Sequence, residues 1–324
     1  MSSDAQVATL GPSGGPSEPP CRTTLRALLT PGVRAMLWSS FFFSVMSLMV
    51  KVVGQRISSI QLGLLRGFLC FGMTWVLLRR ASIPPFGRQP KLLVARGLFG
   101  FIGVQCYFYS VVHLALDEAT VIHYLHPILI AILAALFLKE RVSKRLIVAV
   151  LSGFLGVMWL TGYLPARLGL LADARSTPLH FWGLMAGLIG ALASAFAYLT
   201  VRKLAGREHT NVVVLYLTMV TSALSLPFAI GVWVWPTPTE WLQLCLMAVA
   251  TQLGQMKITQ ALHLEPAGKM TTLGYSQIVY ATLWNMMIFG HFPTWLTLVG
   301  AIAIGIAVYL ASSVNRNLPN RVST

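Results

Sequence analysis

Acidic residues are what this 324-residue chain has least of: Asp and Glu total 9, against 24 Lys and Arg. The acids are Asp4, Glu18, Asp117, Glu118, Glu140, Asp173, Glu208, Glu240 and Glu265, and each falls in a tail, a loop or the end of an apolar run. No carboxylate is therefore available in the middle of a run, where a proton or sodium site ordinarily needs one. Charge of either sign is scarce, at 10% of residues, against about 25% in soluble domains. That excludes an ordinary soluble globular protein. The 4 cysteines, Cys21, Cys70, Cys106 and Cys245, are scattered, so neither a disulfide framework nor a CxxC metal pair is present. There is no Walker loop and no Gly-x-Ser-x-Gly elbow, which removes direct ATP drive from this chain and the commonest hydrolase nucleophile.

What is present is a succession of apolar runs of about 20 residues, the length that crosses a ~30 Å hydrocarbon core. With 56% hydrophobic residues, the chain reads as an all-α polytopic membrane protein. Ten transmembrane helices are expected, near 33–53, 58–78, 92–113, 118–138, 145–163, 180–201, 210–232, 240–262, 267–290 and 294–313. Residues 1–32, which contain GPSGGPSEPP, read as a disordered cytosolic tail rather than a signal peptide. A linker at 164–179 divides five helices (33–163) from five more (180–313), and 314–324 is a second cytosolic tail.

The formal charge of +15 would suggest a nucleic-acid partner in a soluble protein. Here it reads as the loop bias that orients membrane proteins. Groups such as Arg79, Arg80, Arg88 and Lys91, or Lys139, Arg141, Lys144 and Arg145, fall on the side of the N-terminus; only Lys51, Arg56, Arg167 and Arg175 fall opposite. Both termini are accordingly expected in the cytosol, with the lipid bilayer and not nucleic acid as partner, in the cell (cytoplasmic or inner) membrane.

An odd number of helices per half makes equivalent helices run in opposite directions, the signature of an inverted repeat. A shift of 151 residues aligns Thr120 with Thr271, Tyr124 with Tyr275 and Ile132 with Leu283; a shift of 150 aligns Gln105 with Gln255 and His113-Leu114 with His263-Leu264.

The stretch LDEATVIHYLHPILIAILAALFLKERVSKRLIVAVLSGFLGV carries an Ala119-Thr120 start, Pro127 within the run, and a Phe137-Leu138-Lys139-Glu140-Arg141 turn. On these features, and on its second-half counterpart LHLEPAGKMTTLGYSQIVYATLWNMMIFGHFPTWLTLVGAIAIGIAVYL, the chain resembles the EamA-like transporters of the drug/metabolite transporter superfamily over about 33–313. Two departures stand out: His291 replaces the usual Glu after Phe-Gly, and Ile278 stands where the second-half Pro is expected. The resemblance implies a permease for amino acids, nucleotide derivatives, vitamins or other metabolites.

A transport site needs polar groups near the midplane, reached alternately from each side. Thr120, His123, Tyr124 and Pro127 share a face at three- and four-residue spacing, with His126 rotated away. Thr271 and Tyr275 repeat the pattern, and Gln277, Trp284 and Asn285 add hydrogen-bonding groups. Arg66 lies about 13 residues, roughly 20 Å, from the cytosolic end of its run, a distance that snorkelling does not easily cover. Arg96 and Lys257 lie closer and can snorkel. The substrate-binding candidates are thus Arg66, Thr120, His123, Tyr124, Thr271, Tyr275, Gln277 and Trp284; Pro127, Glu140 and Lys257 are read as gating or structural. Excess intramembrane positive charge points to an anionic or zwitterionic small-molecule substrate, and aromatics such as Tyr107, Tyr124, Tyr275, Tyr280 and Trp284 to a planar ring.

No cofactor is called for. An intramembrane enzyme would rest on His123-x-x-His126, but that pair lacks a third ligand and a base at its depth. A non-transporting scaffold or assembly subunit is the alternative function. With no carboxylate at mid-depth, His123 is the candidate for proton coupling; without it the protein is a facilitator or exchanger. Small-residue faces at Gly153, Gly156, Gly300 and Gly305 suit close packing within the chain or in a homodimer.

Overall fold

The computed structural model describes residues 29–54, 56–113, 122–140, 142–160, 163–169, 181–289 and 295–313. The described first half contains α1 (Pro31–Val53), α2 (Ser59–Arg80), α3 (Pro90–His113), α4 (His126–Leu138) and α5 (Lys144–Leu160), then one short helix at Tyr163–Arg167, inside the stretch read as linker. The second half contains α6 (Phe181–Leu204), α7 (Thr210–Ile230), α8 (Pro238–Leu264), α9 (Ala267–Leu273), α10 (Ser276–Phe289) and α11 (Trp295–Ser313).

Helix starts follow local chemistry. Thr30 accepts from the Val33 N–H at 3.3 Å before Pro31, and Thr237 and Glu240 form a reciprocal capping box before Pro238. The α4–α5 turn opens on Lys139, a left-handed C-cap with φ 53°. Among the described residues, four stretches are long and apolar enough to cross a membrane alone: Pro31–Val50, Ile60–Arg80, Phe181–Leu204 and Thr210–Ile230. α4 spans 13 residues, short of the about 20 that a crossing needs.

That shortness corrects the expectation of an unbroken fourth and ninth span. The fourth is interrupted at Tyr124-Leu125, and the ninth at Gly274-Tyr275, where α9 ends and α10 begins. At both places the backbone bonds tighten to three-residue spacing: Leu125 N–H to Ile122 O at 3.1 Å, Gly274 N–H to Thr271 O at 3.0 Å, Tyr275 N–H to Thr272 O at 3.2 Å. The two tyrosines that the 151-residue shift superposes therefore sit at matching breaks. Pro127 does not bend a continuous helix more than its counterpart, as its isolated position suggests. It occupies the first turn of α4, where a missing N–H costs nothing.

The strongest helix pairings are α3 with α6, α1 with α8, α5 with α11 and α2 with α7; a smaller contact joins α4 to α9. The glycines of α5 serve the second half of the same chain: a Cβ on Gly156 would lie 3.0 Å from Gly300 O and 2.9 Å from Ile304 Cγ1 of α11, whereas one on Gly305 would meet nothing within 4 Å.

Side-chain bonds gather at the end of the bundle that carries the α1 N-terminus. Thr30 Oγ1 donates to Glu265 at 2.6 Å, and Lys269, 1% exposed, donates to the same carboxylate at 3.0 Å. Glu140 accepts from Arg202 Nε at 3.0 Å and from the Ala267 N–H at 3.1 Å, while Arg202 Nη1 donates to Leu262 O at 3.0 Å and His263 O at 3.1 Å. The Gln89 N–H donates to Glu208 at 2.5 Å. The largest apolar core, including Val33, Met36, Leu93, Leu204, Leu262 and Met270, lies at this same end. The opposite end holds a smaller core around Ile57, Leu62 and Met247. There Arg56 pairs with Glu240 and donates to Trp235 O at 2.8 Å, and Gln61 exchanges two bonds with the backbone of Val234. The carboxylate of Glu240 holds the Arg56 guanidinium above its ordinary pKa.

Candidate functional site

A cavity of about 100 Å³ lies between α2, α3, α6, α7 and α8. Arg66, Gly67 and Cys70 line it from α2, and Arg96, Gly100 and Val104 from α3. Ser194 and Tyr198 of α6, Thr218 and Thr221 of α7, and Thr251 and Gln255 of α8 complete the polar wall. At about 1.5 Å per residue, Arg66 is roughly 10 Å along α2 from Ser59 and Arg96 roughly 9 Å along α3 from Pro90. Because these helices begin at opposite ends of the bundle, the two cations approach one cavity from opposite sides.

Both are poorly compensated. Arg66 is half-buried, and its Nη1 lies 3.8 Å from the Met46 sulfur, a weak acceptor. Arg96 is 4% exposed; its guanidinium carbon is 6.0 Å from the Tyr198 ring centroid, and its Nε lacks a hydrogen-bond partner among the described residues. Gly100 makes room for it, since a Cβ there would stand 2.7 Å from Arg96 Nη1. No carboxylate reaches either arginine among the described residues, because each described acid is engaged at an end of the bundle: Glu140 by Arg202, Glu208 by Gln89, Glu240 by Arg56, Glu265 by Lys269 and Thr30.

A cluster of aromatic and imidazole rings adjoins the cavity through Tyr198. His126 lies 5.8 Å from Tyr198 by ring centroids, 5.1 Å from His123 and 5.9 Å from Tyr124, and His123 lies 4.3 Å from Tyr107. His126 Nδ1 is 2.8 Å from His123 O, and the buried His123 Nδ1 has no partner among the described residues. The sequence reading rotates His126 away from this face. The structure brings it in, because the break at Tyr124-Leu125 resets the helical phase. Among the described residues no group of three or more His, Cys, Asp or Glu could hold a metal ion.

Of the substrate-binding candidates, only Arg66 lines the cavity. His123 and Tyr124 sit in the adjoining cluster, and Thr120 lies outside the described residues, as does the side chain of Asn285. Tyr124 and Tyr275 do meet, with centroids 5.9 Å apart and the Tyr275 hydroxyl 3.4 Å from Tyr124 O. Tyr275 is nevertheless fully buried against Val157, Ile278 and Ile304. Thr271, 2% exposed, donates to Ala267 O at 2.9 Å within its own helix. Gln277 and Trp284 bond Ser47 and Ser44 of α1, at 3.5 and 2.9 Å. The cavity between α2, α3, α6, α7 and α8 is lined by other helices than the fourth and ninth spans, and α9 and α10 are packed on α1, α4 and α11.

Pro127 is buried at the start of α4, Glu140 ties the α4–α5 turn to α6 and α9, and Lys257 donates to Gln260 on its own helix α8, at 3.4 Å. Arg96 does not snorkel. The sequence also gives a pattern for the second-half wall: Thr218 and Thr221 are three apart, and Thr251 and Gln255 four apart, each pair on one helical face.

A solved crystal structure with 20% sequence identity superposes with a TM-score of 0.73, covering 86% of this chain and 96% of that one, which establishes the shared fold. Among curated relatives, the pseudopaline exporter CntI of Pseudomonas aeruginosa is 28% identical over 89% of this chain and 98% of its own. A probable transport protein of Saccharomyces cerevisiae is 26% identical over 87% of each chain. Mouse solute carrier family 35 member G1 is 28% identical over 82% of this chain and 74% of its own. The description of the EamA-like transporter family matches twice, over residues 30–162 and 181–313. With two copies of its domain spanning most of the sequence, the chain is an integral, multi-pass membrane protein that belongs to the EamA-like transporter family.

Proposed function

We propose that this transporter moves a small polar metabolite with an anionic or zwitterionic group, such as an amino acid or a nucleotide-like compound, by alternating access through the cavity between Arg66 and Arg96. One observation carries the reading: two arginines face one cavity, and no carboxylate answers them among the described residues. An arginine at mid-membrane depth costs about 2.5–3.5 kcal/mol on insertion scales. A substrate carboxylate or phosphate supplies the missing countercharge, and guanidinium groups bind such anions through paired, charge-assisted hydrogen bonds. Ser194, Thr218, Thr221, Thr251 and Gln255 then replace the hydration of the remaining polar atoms.

The cavity volume fits a closed stage of such a cycle. About 100 Å³ is roughly three waters at ~30 Å³ each, below the about 300–1,000 Å³ of ligand clefts. Loading therefore requires the helices to separate, and the heavier bonding at the α1 N-terminal end makes that end the closed one. Glu140, Arg202 and Glu265 are the gate residues there.

We further read the chain as ten crossings in two inverted five-helix repeats, with tails at 1–32 and 314–324, a linker at 164–179 and both termini in the cytosol of an inner-membrane protein. The pairings support this: exchanging the halves swaps α3–α6 with α8–α1 and maps α2–α7 and α5–α11 onto themselves. The matching breaks at Tyr124 and Gly274-Tyr275 support it as well. A thermal-shift screen of purified protein against amino acids, nucleotides and their neutral analogues tests the substrate class. Stabilisation by anionic or zwitterionic compounds that is lost in both Arg66→Gln and Arg96→Gln is expected; stabilisation by neutral analogues alone would sink the proposal.

A further inference from the structure

An apolar groove of about 420 Å³ lies between α4 and α5, away from the central cavity. Ile132, Ala135 and Leu136 form one wall and Leu146, Ile147 and Leu151 the other. The lining is almost wholly aliphatic. Ile132, Leu136, Ile147 and Leu151 are each about half or more exposed, so the groove faces the surroundings of the bundle.

Its charged end distinguishes it from ordinary lipid-facing surface. Lys139 is the C-cap of α4, three residues past Leu136, and Lys144 is the first residue of α5, three before Ile147. Each wall thus ends in an exposed lysine at the α4–α5 turn. Glu140, between them in sequence, does not neutralise them, because its two oxygens are held by Arg202 and the Ala267 N–H. A slot long in hydrocarbon, open to the bilayer and with two exposed cations at the turn end of its walls, matches one occupant: an acyl chain below an anionic headgroup.

We infer that the α4–α5 groove is a binding site for an anionic phospholipid, its acyl chain between Ile132–Leu136 and Ile147–Leu151 and its phosphate at Lys139 and Lys144. Because α4 follows the break at Tyr124 and Glu140 anchors the same turn, a lipid seated there holds together the two helices that move when the bundle opens at this end. The site is independent of the substrate and survives any outcome of the substrate screen.

Native mass spectrometry of the purified protein, titrated with phosphatidylglycerol or phosphatidylcholine of identical acyl composition, tests the site. The expected result is retention of phosphatidylglycerol at least tenfold above phosphatidylcholine. That preference is lost in the double variant Lys139→Gln/Lys144→Gln, and binding of both lipids is lost in Ala135→Phe, which fills the groove. Ile132→Trp, at a half-exposed position, gives the same readout where Ala135→Phe does not fold. Equal retention of the two lipids overturns the proposal. So does a preference that persists in the filled variants, which would mark surface charge alone, or full competition by glycerol phosphate, which would mark a free-phosphate site. Conversion of a dimer to a monomer by the filled variants, with lipid retention unchanged, would assign the groove to a second copy of the chain instead.

Discussion

Replacing Glu140 with Gln should shift the molecule toward opening at the end that carries the α1 N-terminus. Glu140 joins the α4–α5 turn to α6 through Arg202 Nε at 3.0 Å and to α9 through the Ala267 N–H at 3.1 Å. The two side chains are only 17% and 24% exposed, so the pair is shielded more than a surface ion pair. Gln keeps the shape and one acceptor for Ala267 but removes the charge opposite a guanidinium. A hydrogen bond to a charged group contributes about 1.5–3 kcal/mol. If that contribution exists only when this end is closed, the open fraction rises by about 10- to 150-fold. Maleimide labelling of a cysteine introduced at Tyr198, on the cavity wall, reads this in a background whose four native cysteines, the cavity-lining Cys70 included, are replaced by alanine, with reagent supplied from each side of reconstituted vesicles. Faster labelling from the α1 N-terminal side is expected, with transport slowed because the substrate no longer closes that end. An unchanged labelling rate beside a lowered melting temperature would show that the pair is a passive tie, and the gate assignment would fail.

Arg96→Met should raise the melting temperature of the ligand-free protein while reducing transport, since it removes a buried charge whose presence costs up to about 2.5–3.5 kcal/mol; a fall in both would mean that Arg96 is structural. Trp284→Phe should cost about 1 kcal/mol, the worth of its 2.9 Å bond to Ser44, and leave substrate affinity intact, which a binding isotherm checks. Gly153→Ala should destabilise by about 1–3 kcal/mol, because the added Cβ would stand 2.6 Å from Tyr275 Cε2, and a melting curve reads the loss.

Apolar run length is enough to place most of the described helices. The site was less legible, for a physical reason. Facing residues on the fourth span were assigned on the premise of one continuous helix, and the tight turn at Tyr124-Leu125 breaks that phase, bringing His126 beside Tyr198. No proline signals the matching break at Gly274-Tyr275. Arg66 draws notice in the sequence by its distance from the cytosolic end of its span, although it lies only about 10 Å from the Ser59 end of α2. Arg96 was discounted because its distance from the end allowed snorkelling, and only tertiary packing shows that Gly100 folds it inward instead. Repeat symmetry marks Tyr124 and Tyr275 as positions that meet, and in the structure Tyr275 meets its counterpart from within packed core.

Substrate counterflow in proteoliposomes tests the central claim most directly. Vesicles preloaded with an amino acid or nucleotide identified by thermal shift should accumulate its labelled form, and should ignore an analogue in which the acidic group is an amide. Arg66→Gln should abolish that discrimination and at least most of the flux. Equal counterflow of the acid and the amide, unchanged by Arg66→Gln and Arg96→Gln, would contradict an anion site between the two arginines.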